Sequence, residues 1–156
     1  MRAVVQRVRD ASVSVENTIV GAVDRGLLVY LGVEKGDTDT DLEYLVRKTV
    51  QLRIFDDEAG RMNLSVLQMH ERDSAYGVLV ISQFTLLGDT RKGNRPGYNS
   101  AEEPEIAEPM YDHFVRLVAG HGLPVATGAF GKEMDVAYHN DGPVTILMDT
   151  RNTGRG

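Results

Sequence analysis

The sequence predicts an α+β domain with a mixed or antiparallel sheet and two main helices. Three observations carry this. Short valine-, leucine- and isoleucine-rich runs recur along the chain, two longer segments place apolar residues at helical spacing, and strands and helices come in clusters rather than strict alternation. The chain has 156 residues, the size of one domain. Apolar residues make up 42%, enough for a core and too many for a disordered chain. No linker, repeat or low-complexity block interrupts it. Residues 1–150 are therefore expected to form one domain. The tail 151–156 has no apolar residue and is expected to be frayed or disordered.

The first strand is expected over 2–9, where three valines alternate imperfectly with polar residues. Val13 and Val15 alternate with Ser12 and Ser14, Glu16-Asn17 reads as a turn, and Thr18-Ile19-Val20 as the returning strand. The continuous apolar run 27–33 suits a strand buried on both faces. Leu42, Leu45, Val46, Thr49 and Val50 mark the first helix, with Thr38 or Asp39 to cap it. Ile106, Met110, Phe114, Leu117 and Val118 mark the second, with Pro104 in its first turn and Gly120 or Gly122 at its end. Between them lie a turn at 56–60, a mixed stretch and a strand at 78–81. Three more strands are expected at 124–127, 134–139 and 144–148.

Composition excludes several classes. With 17 Lys and Arg against 23 Asp and Glu, the net charge is −6. A chain that coats nucleic acid without specificity needs a basic surface, so basic contacts here have to be local. There is no cysteine, which excludes a disulfide scaffold, a thiol nucleophile and a thiolate metal site and fits a reducing cytoplasm. No apolar run approaches the ~20 residues that span a bilayer, and charge interrupts the first nine residues too often for a signal peptide. Residues 88–93 have P-loop glycine spacing, but Asn94-Arg95 stand where Lys-Ser/Thr are required. There is no G-x-G-x-x-G, no G-x-S-x-G and no zincin motif. His70, His113, His121 and His139 lack metal-ligand spacing and read as structural. No metal or cofactor is expected.

Two regions remain. In the first, a strand ends at Ile81-Ser82, where polar groups can line a cleft at a sheet edge. A loop with Arg91, Lys92 and Arg95 follows. Three such charges are either a solvated loop or a phosphate contact. The second contains Gly128-Ala129-Phe130-Gly131 and Asn140-Asp141-Gly142-Pro143-Val144-Thr145. Locally, Asp-Gly-Pro reads as an ordinary turn. An X-Pro bond also has access to the cis form, which can aim neighbouring carbonyls in similar directions, toward an ammonium group.

Together these stretches resemble the D-aminoacyl-tRNA deacylase family of the bacterial and eukaryotic type, also called D-tyrosyl-tRNA deacylase. Its Ser-Gln-Phe-Thr-Leu stands at Ser82–Leu86 and its Asn-x-Gly-Pro-Val-Thr at Asn140–Thr145. The resemblance extends over Met1–Val8, residues 52–57, 61–65, 91–96 and 128–131, nearly the whole chain to Thr150. Gly97-Tyr98 replace a more usual Ser-Phe, and Lys132-Glu133 a smaller pair.

The resemblance implies a barrel-like core and a cytoplasmic homodimer with active sites at the subunit interface. It implies hydrolysis of the ester between a D-amino acid and the terminal adenosine of tRNA, and of mischarged glycyl-tRNA. Ser82, Gln83, Phe84, Thr85 and Phe130 are the implied catalytic group. Gly142, Pro143, Arg7, Ala129, Gly131, Met134 and Asn140 are implied in substrate binding and chiral selection, with a cis Gly142-Pro143 entering the other subunit's site. Arg91, Lys92 and Arg95 would contact tRNA. Thr85 is either an attacking hydroxyl or a bystander to water oriented by the terminal ribose 2′-hydroxyl. A non-catalytic RNA-binding module and a small-molecule esterase are the competing classes.

Overall fold

The fold is described by a computed structural model for residues 1–152. β1 (Arg2–Val15) and β2 (Thr18–Gly32) form a long antiparallel hairpin. The separate strands expected at 2–9 and 13–15 are one, as are those at 18–20 and 27–33. Glu16 and Asn17 make the turn with φ of 49° and 63°, the left-handed pair that suits a two-residue hairpin loop. Helix α1 (Asp39–Gln51) follows, then the small hairpin β3 (Phe55–Asp56) and β4 (Met62–Leu64), helix α2 (Val66–Arg72) and strand β5 (Tyr76–Ser82). A 3₁₀ turn spans Phe84–Leu87, and helix α3 spans Pro104–Ala119. Strands β6 (Val125–Thr127) and β7 (Asp135–Asp149) complete the sheet, and a 3₁₀ turn covers Thr150–Asn152.

The main sheet has the order β6-β5-β2-β1-β7. It is mixed: β2 runs parallel to β5 and β5 to β6, while β1 is antiparallel to both neighbours. Gly26 faces Gly77 across the β2–β5 pair, and a Cβ on Gly26 would lie 1.9 Å from the Gly77 carbonyl oxygen. Backbones approach this closely only at glycine.

Both faces of the sheet carry buried apolar residues. On one, Val5, Leu27, Val29, Val78 and Val80 join Leu42, Leu45, Val50, Phe114 and Val118 from the helices. On the other, Val8, Ala11, Val13, Leu28, Leu79 and Ile81 are buried against Ala126, Met134, Val136 and Tyr138, all from the sheet and its connections. Among the described residues no helix covers that cluster, and the sheet buries it by curling over itself. Among the described residues no ladder joins the edges β6 and β7, so the sheet is curled but open.

Helix α1 matches its expected stripe: Leu42, Leu45, Val46, Thr49 and Val50 are all buried. The Asp41 carboxylate accepts bonds from the Thr38 N–H (2.9 Å) and hydroxyl (2.8 Å), fixing the helix start. Helix α3 begins at Pro104 as expected but buries Ala107, Tyr111, Phe114 and Val118. Ile106 of the expected stripe is 52% exposed, because the buried face is centred one position further along. The third helix, α2, lies in what the sequence left as a mixed stretch. Ser65 caps it, with its Oγ accepting from Gln68 N–H (3.3 Å) and Gln68 Oε1 accepting from Ser65 N–H (3.0 Å).

The expected tail is ordered at its first two residues. Arg151 donates to the Lys35 carbonyl (3.0 Å) and to Asp37 (3.2 Å), which holds the turn beside α1. The rest of that expectation, residues 153–156, lies outside the described residues.

Phe114 is fully buried between α3 and the sheet. Phe114→Ala is expected to destabilise the domain by ~3–5 kcal/mol, read from chemical denaturation midpoints.

Candidate active site

The site begins where β5 runs out of ladder. Gln83 N–H donates to the Leu31 carbonyl (2.8 Å), the last rung of the β2–β5 pairing. The chain then tightens into the Phe84–Leu87 turn, closed by Leu86 N–H to Gln83 carbonyl (3.3 Å) and Gly88 N–H to Thr85 carbonyl (3.0 Å). The N–H groups of Phe84 and Thr85 stand at the start of this turn with no protein acceptor among the described residues. The Phe84 ring is 58% exposed and meets Tyr98 edge-on, centroids 5.1 Å apart.

Ser82, Gln83 and Phe84 form one wall of a cavity of about 820 Å³. Phe130, Gly131 and Met134 form a second wall, and the start of α3 with Ala107 and Glu108 a third. A Cβ on Gly128 would lie 2.5 Å from the Met134 sulfur and 3.1 Å from the Ile81 side chain, so the loop after β6 packs directly on the end of β5. Thr85 is exposed beside this cavity and Ala129 is half-buried before Phe130; neither lines it. Thr85 sits in the 3₁₀ turn rather than on a strand, and its hydroxyl is bonded by the Gln83 side-chain amide. The sequence reading missed Tyr98, Asn99, Glu102, Glu103 and Glu108, which also line the cavity. They arrive through a bridge between Glu34 and Ala101 that carries no local signature. Glu102, Glu103 and Glu108 share the lining with Lys35 and Lys132, and Lys35 pairs with Glu103 (3.2 Å).

The second motif stands elsewhere on the chain. The expected strands 134–139 and 144–148 are one strand, β7. The β1–β7 register jumps from Gln6↔Thr145 to Val8↔Asn140, so residues 141–144 loop out opposite Arg7 alone. The Asp-Gly-Pro is therefore a bulge in an edge strand, not a chain-reversing turn, and the Gly142-Pro143 peptide is cis.

Side chains pin this loop from both sides. Arg7 donates from Nε to the Asp141 carbonyl (3.2 Å) and from Nη1 to the Ile54 carbonyl (2.8 Å), and pairs with the Asp141 carboxylate (3.3 Å) and Asp56 (3.6 Å). Asn140 accepts from Val144 N–H (3.2 Å) and donates to Thr145 Oγ1 (3.1 Å). Gly142 has φ of 120°, and a Cβ there would meet Val144 at 2.8 Å and Arg7 at 3.0 Å, so only glycine fits.

Gly142 and Pro143 are exposed, and with Arg7 and Asn140 they do not line the cavity of their own chain. They lie level with Leu27 and Val78 on an edge three strands from β5, whereas Ser82 is level with Leu31.

The basic loop is less basic than its sequence. Arg91 is tied to Asp89, with Nε to Oδ1 at 2.9 Å and Nη2 to Oδ2 at 2.7 Å, a two-point pairing. Lys92 and Arg95 have no ion-pair partner among the described residues. Of the histidines, His70 Nδ1 meets the Tyr76 carbonyl at 2.8 Å, while His113 faces Asp39 (3.8 Å) and His139 faces Asp10 (3.4 Å).

The relatives of this chain place it in the hydrolase class, among the deacylases. The chain matches the family described as D-Tyr-tRNA(Tyr) deacylase over residues 4–149. It is 57% identical over 150 residues to the D-aminoacyl-tRNA deacylase of Magnetococcus marinus, covering 96% of each chain. It is 54% identical over 151 residues to that of Opitutus terrae, covering 96% of this chain and 97% of the relative. Among solved structures, the c-Myc DNA Unwinding Element Binding Protein superposes with TM-score 0.85 at 41% identity, covering 96% of this chain and 98% of that one. A probable eukaryotic D-amino acid tRNA deacylase shares the fold, with TM-score 0.80 at 19% identity, covering 94% and 97%. The chain belongs to the D-Tyr-tRNA(Tyr) deacylase family.

Hydrogen bonds from the Arg91 side chain and backbone hold the Asp89 carboxyl well below the usual carboxylate range. A group depressed in this way keeps its pairing above the ordinary aspartate value of ~3.9 and loses it only as pH falls through the depressed midpoint. A carboxyl-carbon NMR titration is expected to place Asp89 below the unpaired aspartates, and Arg91→Ala to return it toward them.

Proposed function

We propose that this protein hydrolyses the ester linking a D-amino acid, or glycine, to the 3′-terminal adenosine of tRNA. The observation that carries the reading is the cavity at the end of β5. It joins Ser82, Gln83 and Phe84 to Phe130 beside two N–H groups that have no protein acceptor among the described residues. Unpartnered donors aimed at a developing oxyanion lower an acyl-transfer barrier. The ester is already activated, so placement and charge stabilisation suffice without a strong nucleophile. The Phe84, Thr85 and Phe130 backbone holds the ester carbonyl, while Ser82 and Gln83 shape the adenosine side.

Water, oriented by the substrate's own 2′-hydroxyl, is the attacking group in this reading. A threonine nucleophile needs a base. Among the described residues the Thr85 hydroxyl meets only the Gln83 amide, which donates to it and cannot take its proton.

Chirality is read by backbone. Carbonyls of Gly142 and Pro143 bind the α-ammonium, and the ester carbonyl fixes a second direction. An L-side chain then strikes main chain, while a D-side chain or the hydrogen of glycine escapes. Such a filter ignores side-chain identity. It requires the loop to act on another copy, since the loop does not line the cavity of its own chain. Two features support a homodimer: the loop projects from an unpaired edge strand, and Leu147 on that strand is 69% exposed. Arg91, Lys92 and Arg95 are assigned to tRNA, with Lys92 and Arg95 supplying the uncompensated charge. We place the enzyme in the cytoplasm, where charged tRNA is used.

Purified protein incubated with D-tyrosyl-tRNA, L-tyrosyl-tRNA and free D-tyrosine ethyl ester is expected to release tyrosine from the first alone. Binding without release points to an RNA-binding module, and release from the ethyl ester alone to a small-molecule esterase. In single-turnover assays Thr85→Ala is expected to keep most of the wild-type rate; a loss of ~10⁴-fold or more, the scale of a removed nucleophile, overturns the water mechanism.

A further inference from the structure

Two cavities flank the turn formed by residues 98–101. The first is the candidate active site. The second, a groove of about 890 Å³, runs between that turn and the basic loop, over Leu87 and Gly88. Asn99 lines both, so it forms the ridge where one cavity gives way to the other. The ridge is firmly built. Gly97 and Asp89 exchange both backbone bonds (2.8 and 2.9 Å), Ala101 N–H donates to the Tyr98 carbonyl (3.0 Å), and Lys35 N–H donates to the Ser100 carbonyl (2.8 Å). The Ser100 hydroxyl donates to the Leu87 carbonyl (3.2 Å). The Asn99 side chain is exposed, and its amide has no protein partner among the described residues.

Charge in the second groove is sorted. Arg91 is neutralised by Asp89. Glu34, the other anion in the lining, is matched by Arg2 (3.9 Å) and Arg151 (3.5 Å). Lys92 and Arg95 remain uncompensated among the described residues. Two unmatched cations along one groove suit phosphodiesters, and an amide offers both donor and acceptor to a base edge or phosphate. An unpaired strand can follow such a groove with its phosphates on the two cations and its bases free to meet the Asn99 amide.

We propose that this groove is a subsite for the unpaired nucleotides preceding the terminal one. Lys92 and Arg95 meet their phosphates, and the Asn99 amide contacts the strand as it crosses into the first cavity. The assignment rests on the reading of that first cavity as the place of the esterified terminal nucleotide.

The test compares D-tyrosyl-adenosine with a 3′-D-tyrosylated trinucleotide ending in CCA, measuring kcat/KM for each across a salt series. Wild-type protein is expected to favour the trinucleotide by ~10-fold or more, the scale of a few phosphate contacts. In the Lys92→Ala/Arg95→Ala double variant that preference is expected to collapse. The slope of log kcat/KM against log salt for the trinucleotide is expected to become shallower by ~1.4, two phosphates at ~0.7 each. Asn99→Ala is expected to reduce the preference without changing the slope. A double variant with unchanged preference and slope overturns the subsite. So does wild-type protein that hydrolyses both compounds with no preference for the trinucleotide, because the groove then holds no preceding nucleotide. Failure of the underlying reading looks different: wild-type protein then hydrolyses neither compound. All three substituted residues are exposed, and thermal unfolding confirms that each variant is folded.

Discussion

One rung of the sheet organises the candidate site: the bond from Gln83 N–H to the Leu31 carbonyl. It is the last rung of the β2–β5 ladder. A strand held in register to that point and then released must satisfy its next donors some other way. Here the chain coils into a 3₁₀ turn, whose first N–H groups have no intrahelical partner. The two donors at Phe84 and Thr85 are therefore a consequence of where the ladder stops. The parallel pairing of β2 with β5 and of β5 with β6 sets the other walls, because Phe130 lies just beyond the end of β6. Tyr111 from α3 reinforces this arrangement. Its hydroxyl donates to the Val80 carbonyl (2.7 Å), which also accepts from Gly128 N–H (3.1 Å).

The Gly142-Pro143 loop obeys a complementary logic. A loop-out in a central strand would break two ladders, whereas in an edge strand it interrupts one. β7 is an edge, so four residues can leave it opposite Arg7 at limited cost. Arg7 then compensates by replacing ladder bonds with side-chain bonds to the Asp141 and Ile54 carbonyls. Asn140 and Thr145 close the base of the loop, so the exposed tip stands on a fixed foundation.

Much of this was legible in the sequence, and the limits have physical causes. Periodicity marked α1 and the body of α3 because their buried faces recur at 3.6 residues. It misassigned Ile106 because one apolar residue at a helix start fits two neighbouring faces. Helix α2 is too short for periodicity to speak, yet its Ser65-x-x-Gln68 capping box was in plain view. Strand continuity was hidden because polar residues interrupt long bent strands: β1 is bulged near Asp10, which has φ of 50°, and β7 at its loop. Ser82, Gln83, Phe84, Phe130, Gly131 and Met134 do share one cavity. Their company from residues 98–108 depends on a single bridge between Glu34 and Ala101, and no local pattern encodes a contact that distant.

The charge distribution constrains how an acidic protein can handle a polyanion. At net −6, long-range attraction does not gather such a substrate, so recognition must come from a few cations kept free at short range. Counting arginines and lysines overstates that supply, because Arg91 is internally neutralised and Arg2, Arg7 and Arg151 hold the fold together. Arg91 instead stiffens the loop from which Lys92 and Arg95 project, since its pairing with Asp89 joins the backbone bridge from Asp89 to Gly97. One cation shapes the loop and two remain available, which favours binding that is local, readily reversed and sensitive to salt. Reversibility matters for an enzyme whose product is the same polyanion as its substrate: contacts strong enough to hold the whole tRNA tightly would also slow its release.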